Sequence, residues 1–182
     1  MRIGYTPEQE ELRRELRSYF SKLMTPERAE ALASNDGEMG RGNVYRETVE
    51  QMGKDGWLTL SWPKEYGGRD ATMLQWVVYE EEYFRAGAPG RASANGTSML
   101  APTLFAHGTP EQMQRVLPKM ASGEEIWAQA WSEPESGSDL ASLRSTATKV
   151  DGGWKLNGQK IWSSRAPFGE RGFGLFRSDP EA

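Results

Sequence analysis

The feature that most constrains the fold is a change in hydrophobic periodicity near residue 126. Before it, apolar residues such as Leu12, Leu16 and Leu23 recur at the spacing of amphipathic helices. After it, side chains around Thr148 and Val150 alternate as they do along a half-buried strand. The pattern therefore predicts an α+β chain: an N-terminal all-α bundle over residues 1–125, then a strand region with an unfinished sheet over residues 126–182.

Three predicted helices share one start signal, in which threonine, proline and glutamate follow one another. It occurs at Thr6-Pro7-Glu8, Thr25-Pro26-Glu27 and Thr109-Pro110-Glu111. The hydroxyl caps the first turn, and proline is tolerated at the first helical position. Further helices are predicted around Tyr45–Met52 and over Met73–Arg85. The latter carries apolar residues on more than one side, so we expect it to be the central helix of the bundle.

The connecting and strand regions are less regular. Irregular stretches are predicted at Ser34–Asn43 and Asp55–Asp70, and the aromatic residues of the second indicate either a packed lid or a ligand-pocket wall. Asp151-Gly152-Gly153 separates two alternating segments and predicts a hairpin. One further strand is predicted around Phe173 and Phe176, giving three or four strands in an unfinished sheet.

Composition removes several kinds of chemistry. The chain of 182 residues has no cysteine and one histidine, His107, which excludes disulfides, thiol catalysis and nearly every His or Cys metal cluster. A net charge of -4 argues against a uniformly basic nucleic-acid surface. No apolar run reaches the roughly 18 residues of a membrane span, and no secretion signal is evident, so we expect a cytoplasmic protein.

Charged residues allow both structural and functional interpretations. Seven basic and two acidic residues lie between positions 142 and 177, which fits either a phosphate-bearing ligand or a solvated strand face. Glu80-Glu81-Glu82 is interpreted as a solvated or ion-paired helix face rather than a metal site. His107 is interpreted as a cation at a helix C-terminus rather than a catalytic group.

Two longer motifs carry the functional prediction. In Ala130–Asp139, small residues and hydroxyls crowd a turn, which indicates either a capped turn or a ligand-binding loop. The segment resembles the acyl-CoA dehydrogenase signature, and Leu156–Ser164 resembles that family's second motif. Trp62–Gly68 and His107–Gln112 are similar to landmarks of its helical domain, so the resemblance covers essentially the whole chain.

The resemblance implies that residues 126–182 form an incomplete antiparallel β-barrel-like domain. It also implies an FAD-dependent enzyme that removes hydrogens from Cα and Cβ of an acyl-CoA thioester. Electron-transferring flavoprotein is the family's usual acceptor, and the proteins are oligomers. Arg13–Arg17 and Asp55–Trp57 look closest to actinobacterial members that act on steroid or other bulky acyl groups, often as two unlike subunits. By this resemblance, seven residues bind FAD, and one of them, Ser138, also binds substrate: Gln129, Trp131, Ser132, Gly137, Ser138, Trp162 and Ser164.

Several positions in the two motifs depart from the family pattern. Trp131 replaces a smaller aliphatic residue, and Glu135 replaces a frequent glycine. The family's catalytic base belongs to a C-terminal helical bundle, so the resemblance assigns no base here, and Glu133 is not a substitute. We therefore expect part of an acyl-CoA dehydrogenase that is inactive alone. The alternative is an inert companion subunit or interaction module of a heteromeric dehydrogenase.

Overall fold

The structure, a computed structural model, describes residues 4–33, 43–91, 93–164 and 166–179. The irregular stretch predicted at Ser34–Asn43 lies outside these residues, apart from Asn43, where a helix begins. The helices are α1 (Pro7–Leu23), α2 (Pro26–Ala33), α3 (Asn43–Lys54), α4 (Met73–Arg85), α5 (Ala101–His107) and α6 (Pro110–Ala121).

The predicted helix starts at residues 7, 26 and 110 are confirmed. The hydroxyls of Thr6 and Thr109 accept the backbone N–H three residues later, and the glutamine at that position bonds back to the threonine N–H. Thr72 caps α4 in the same way, with Gln75 as its partner. Each of these helices therefore begins with two of its otherwise unpaired donors satisfied.

The bundle core forms where α1 packs against α4 and the loop 55–70 covers them. Leu16, Phe20 and Val78 are almost completely buried there, and Trp57 from the loop completes the cluster. The loop is therefore the packed lid allowed by the sequence. Trp62 from the same loop extends into a second cluster with α5 and α6.

The prediction that α4 is buried on more than one side is wrong. Val78, Tyr79 and Tyr83 are buried, whereas Met73, Leu74 and Phe84 are exposed. One side of α4 faces α1, and apolar residues on its other sides stay exposed among the described residues. Glu82 instead lies on the buried side, held by Arg13 and Arg17 of α1.

The strands are β1 (Trp127–Ala130), β2 (Thr146–Val150), β3 (Gly153–Asn157) and β4 (Arg171–Gly174). β2 and β3 form the predicted antiparallel hairpin. β1 and β4 pair in parallel, which corrects the expectation of an all-antiparallel sheet. The described strands therefore form two small sheets rather than one: β1 pairs with β4, and β2 pairs with β3.

A π-helical segment, Gly96–Leu100, leads directly into α5, and this segment itself lies close to β1. A Cβ on Gly96 would lie 2.7 Å from the Met120 sulfur and 3.2 Å from the Trp127 Cβ. Only glycine allows this approach, which places the start of the segment beside the sheet. The domain division between residues 125 and 126 stays a prediction.

Candidate functional site

A cleft of about 350 Å³ lies between the two family-like motifs. We call it the motif cleft; its lining residues are Asn95, Gln129, Trp131, Ser132, Trp162 and Ser164. Five of these six are residues that the resemblance assigns to the flavin. The structure thus brings together residues from β1, from the loop after it and from the loop after β3.

The first wall of the motif cleft is built on β1 and the residues that follow it. Gln129 pairs with Phe173 across the parallel β1–β4 ladder. Trp131 stands edge-on to the Phe173 ring, with centroids 6.2 Å apart. The Trp131 indole N–H is buried and has no hydrogen-bond acceptor among the described residues. A buried donor of this kind is costly unless a ligand or a further part of the protein supplies an acceptor.

The second wall carries an exposed indole on an unusual backbone. Trp162 has a φ of 54°, in the left-handed region that bulky residues rarely adopt, and its side chain is 84% exposed. The Ser164 N–H donates to the Trp162 carbonyl at 2.8 Å, which closes a tight turn. Strained backbone with an exposed aromatic side chain is typical of ligand-contacting positions.

Backbone and side-chain bonds join the two walls. The Ile161 N–H donates to the Ser132 carbonyl at 2.9 Å. Lys160 Nζ donates to the Trp131 carbonyl at 3.1 Å and to Glu133 Oε1 at 2.8 Å. A Cβ on Gly158 would lie 2.1 Å from the Ser145 hydroxyl oxygen, so only glycine lets the second motif approach this closely.

The Glu133 carboxylate accepts three hydrogen bonds, one from the second wall and two from the segment before β2. The donors are the side chain of Lys160 and the backbone N–H groups of Arg144 and Ser145. Burial raises the pKa of Glu133, but the bonds from Lys160 and from these amides outweigh it and lower the pKa to about 2. A carboxylate held so firmly in its charged form is a poor proton acceptor near neutral pH, which agrees with the expectation that Glu133 is not a base.

Gly137 and Ser138 do not line the motif cleft. Both are exposed in the loop that follows Ser136, whose buried hydroxyl donates to the Asp139 carbonyl at 2.7 Å. Their assignment to the flavin pyrophosphate or the pantetheine arm stays a prediction. The predicted structural roles of the other polar groups agree with the structure: His107 ends α5, and Glu80 and Glu81 are ion-paired.

Sequence reasoning missed Asn95, Lys160 and Glu133 as parts of the site. Asn95 comes from the helical region, and no pattern in the sequence indicates that the π-helical segment reaches the sheet. Lys160 lies inside the second motif, two residues before Trp162, and this closeness in sequence was the signal that could have indicated its place near the site.

The residues of the motif cleft fit a planar heteroaromatic ring with acceptor atoms. Two indoles offer flat apolar surface, the hydroxyls of Ser132 and Ser164 offer donors, and the buried Trp131 N–H lacks an acceptor. The isoalloxazine ring of FAD has this chemistry. In the described part of the chain, no cluster of three or more His, Asp or Glu side chains could hold a metal ion. No described helix is long and apolar enough to span a membrane.

Comparison with known proteins defines the class. Residues 6–124 match the family model for the acyl-CoA dehydrogenase N-terminal domain, and residues 128–182 match the one for the middle domain. The chain therefore belongs to the acyl-CoA dehydrogenase family. The α+β class and its match to this fold, both predicted from the sequence, are confirmed.

Three individual members of the family are similar to this chain. The chain is 50% identical over its whole length to acyl-CoA dehydrogenase FadE26 of Mycobacterium tuberculosis, and covers 45% of that protein. It matches a chain of the ChsE4-ChsE5 complex from the same organism with 47% identity and a TM-score of 0.85, covering 100% of this chain and 45% of that one. The Tcur3481-Tcur3483 steroid acyl-CoA dehydrogenase gives 36% identity and a TM-score of 0.84, with coverage of 100% and 46%. The chain thus spans about half the length of these relatives.

Proposed function

We propose that the protein to which this chain belongs is an FAD-dependent acyl-CoA dehydrogenase whose flavin ring occupies the motif cleft. One observation carries the proposal: two separate motifs converge on one cleft, and five of its six lining residues are those that the resemblance assigns to the flavin. The chemistry that bound FAD would supply is a hydride acceptor for Cβ of the acyl-CoA.

The chain's own residues would bind and orient the ring. The hydroxyls of Ser132 and Ser164 would donate hydrogen bonds to the ring, which would favour its more electron-rich reduced form. The indoles of Trp131 and Trp162 would pack against the ring and exclude water from it. Glu133 supplies no base, and the family resemblance places the base that removes the α-proton in the C-terminal helical bundle.

We propose a bulky acyl-CoA, such as a steroid side-chain thioester, as the substrate class. The support is the similarity to the Tcur3481-Tcur3483 steroid acyl-CoA dehydrogenase. Electron-transferring flavoprotein as acceptor follows from the family resemblance alone, and the cytoplasmic location expected from the sequence belongs to the same proposal.

A second candidate is an inert companion subunit that shapes a partner's flavin site without supplying a base. Two of the similar structures are two-component proteins, ChsE4-ChsE5 and Tcur3481-Tcur3483, which favours a hetero-oligomer. The two candidates differ in where flavin and base reside. Both require the fold described here.

Purification of the complete gene product alone and with its partner subunit separates the candidates. The proposal predicts that the subunit containing this chain contributes residues that bind FAD. Ser132→Ala or Trp162→Ala should therefore lower the FAD affinity of the assembled protein. Ser138→Ala tests the phosphate and pantetheine assignment: Ser138 is exposed here, but a bound ligand would bury its hydroxyl, and loss of a buried donor costs about 1 to 3 kcal/mol of binding. If none of the three substitutions changed the FAD affinity or the Michaelis constant of the complex, the assignment of these residues to the binding site would be refuted.

A further inference from the structure

We propose that Lys160 and Glu133 are positioning residues that hold the two walls of the motif cleft at a fixed separation. The inference rests on the proposed function, because the spacing matters only if a ring binds between the walls. It concerns no contact with the ligand, since neither side chain lines the cleft.

Lys160 connects the walls through a single side chain. It lies two residues before Trp162, and its ammonium group bonds to the carbonyl of Trp131 at 3.1 Å. The same group stands 4.9 Å from the centroid of the Phe176 ring, a cation–π contact that restricts its position. The residues on either side of the cleft are therefore linked by one buried cation.

The backbone repeats the connection one residue further on. The Ile161 N–H donates to the Ser132 carbonyl, so residues 160 and 161 bind two successive carbonyls of the first wall. This pair of bonds sets the register of one loop against the other. A shift of either loop would break both.

Glu133 makes the arrangement rigid by neutralising Lys160 inside the protein. The side chains of Lys160 and Glu133 are only 11% and 7% exposed, and their N–O distance is 2.8 Å. Glu133 also accepts the amides of Arg144 and Ser145, which anchors the first wall to the segment before β2. Removal of either partner leaves a buried charge unpaired, and the loops must move to solvate it.

The exposed pair Arg144–Glu135 provides a matched control. It lies in the same loops at 2.9 Å, but its side chains are 81% and 74% exposed. Water already solvates both groups, so losing this pair should not displace the walls.

The test uses the complete flavoprotein, with its partner subunit where one is required, carrying Lys160→Met, Glu133→Gln, Lys160→Arg or Glu135→Gln. FAD affinity and the visible spectrum of the bound flavin are measured at a temperature at which circular dichroism shows each variant folded. We expect Lys160→Met and Glu133→Gln each to weaken FAD binding about tenfold or more, the size seen when support behind a ligand site is lost. At saturating FAD, both should shift the visible flavin band.

The remaining variants keep the inference falsifiable. Lys160→Arg should restore part of the affinity, and Glu135→Gln should match the wild type within about twofold. If Lys160→Met fails to fold, the inference is judged on Lys160→Arg, whose displaced donor must still shift the flavin band. Wild-type affinity and an unshifted band in Glu133→Gln and Lys160→Arg would overturn the inference while leaving the proposed function intact. A wild-type protein that binds no flavin would overturn both.

Discussion

At the scale of single residues, the site depends on side chains whose surroundings no sequence pattern displays. Trp162 belongs to a motif that is visible in the sequence, but its left-handed backbone and full exposure emerge only from the tight turn that Ser164 closes. Glu133 also belongs to a visible motif, yet its three donors come from segments 11 to 27 residues away in the chain. The motif indicates which residues matter, and the fold determines what each one does.

Trp162→Gly should separate binding from stability. The left-handed conformation costs a bulky residue about 1 to 2 kcal/mol, which glycine avoids, so the free energy of unfolding should not fall. Loss of the indole should weaken FAD binding by about 1 kcal/mol, roughly fivefold, the value of one aromatic stacking contact. Trp154→Gly on β3, also an exposed tryptophan, is the control and should leave FAD binding unchanged. Unchanged FAD affinity in the Trp162 variant would place the ring elsewhere.

Glu133 should make the folded state sensitive to acid. Its folded pKa of about 2 lies below its ordinary value of 4.5, so its contribution to stability is present above pH 4.5 and is lost as the pH falls toward 2. Urea unfolding between pH 6 and pH 2 should therefore show a steeper loss of the free energy of unfolding in the wild type than in Glu133→Gln. Parallel curves for the two proteins would show that the Lys160 pair contributes no such linkage.

At the scale of elements, local signals predicted most boundaries and fewer of the contacts. Capping threonines and prolines act within one turn, so the starts of α1 and α6 follow from the sequence. The side of α4 that is buried depends on α1, which lies far away in the chain, and the apolar residues of α4 alone gave the wrong answer. The parallel pairing of β1 and β4 joins segments more than forty residues apart and has no local signal.

The α1–α4 contact includes an ion cluster centred on the buried Glu82. Arg17 and Arg13 donate to Glu82 at 2.8 and 3.1 Å, and the Glu82 side chain is 1% exposed. Glu82→Ala should lower the free energy of unfolding by about 1 to 3 kcal/mol, because it removes charged hydrogen bonds, while the half-exposed Arg17 can be solvated and Arg13 keeps its pair with Glu81. Glu11→Ala, which removes an exposed pair with Arg14, should cost less than about 1 kcal/mol. Equal losses in chemical denaturation would contradict this interpretation of the cluster.

The π-helical segment depends on Gly96 for its approach to the sheet. Gly96→Ala would place a methyl group against the buried Met120 and the Trp127 Cβ, and overpacking of this kind costs about 1 to 3 kcal/mol. Asn95 should move with the segment, so FAD affinity should fall as well. Gly90→Ala, where a Cβ meets nothing within 4 Å, is the control for thermal unfolding. A Gly96→Ala protein with wild-type stability and FAD affinity would show that the segment yields without cost.

At the scale of the whole molecule, the helical bundle and the small sheets meet beside the motif cleft. The bundle contributes Asn95, β1 and its following loop contribute one wall, and the second motif contributes the other. The family resemblance predicted five of these residues, because two motifs that bind one ligand must converge in space. Among the described residues, α4 has an exposed apolar side, and neither a carboxylate nor an imidazole lines the motif cleft.

The most direct test of the central claim is the visible absorbance of the purified complete protein, with its partner subunit where one is required. The account predicts a bound flavin with absorbance between roughly 350 and 500 nm that bleaches when a bulky acyl-CoA is added without oxygen. It also predicts that Trp162→Gly lowers the flavin content of the same preparation. A complete protein that binds no flavin, even after incubation with FAD, would contradict the account.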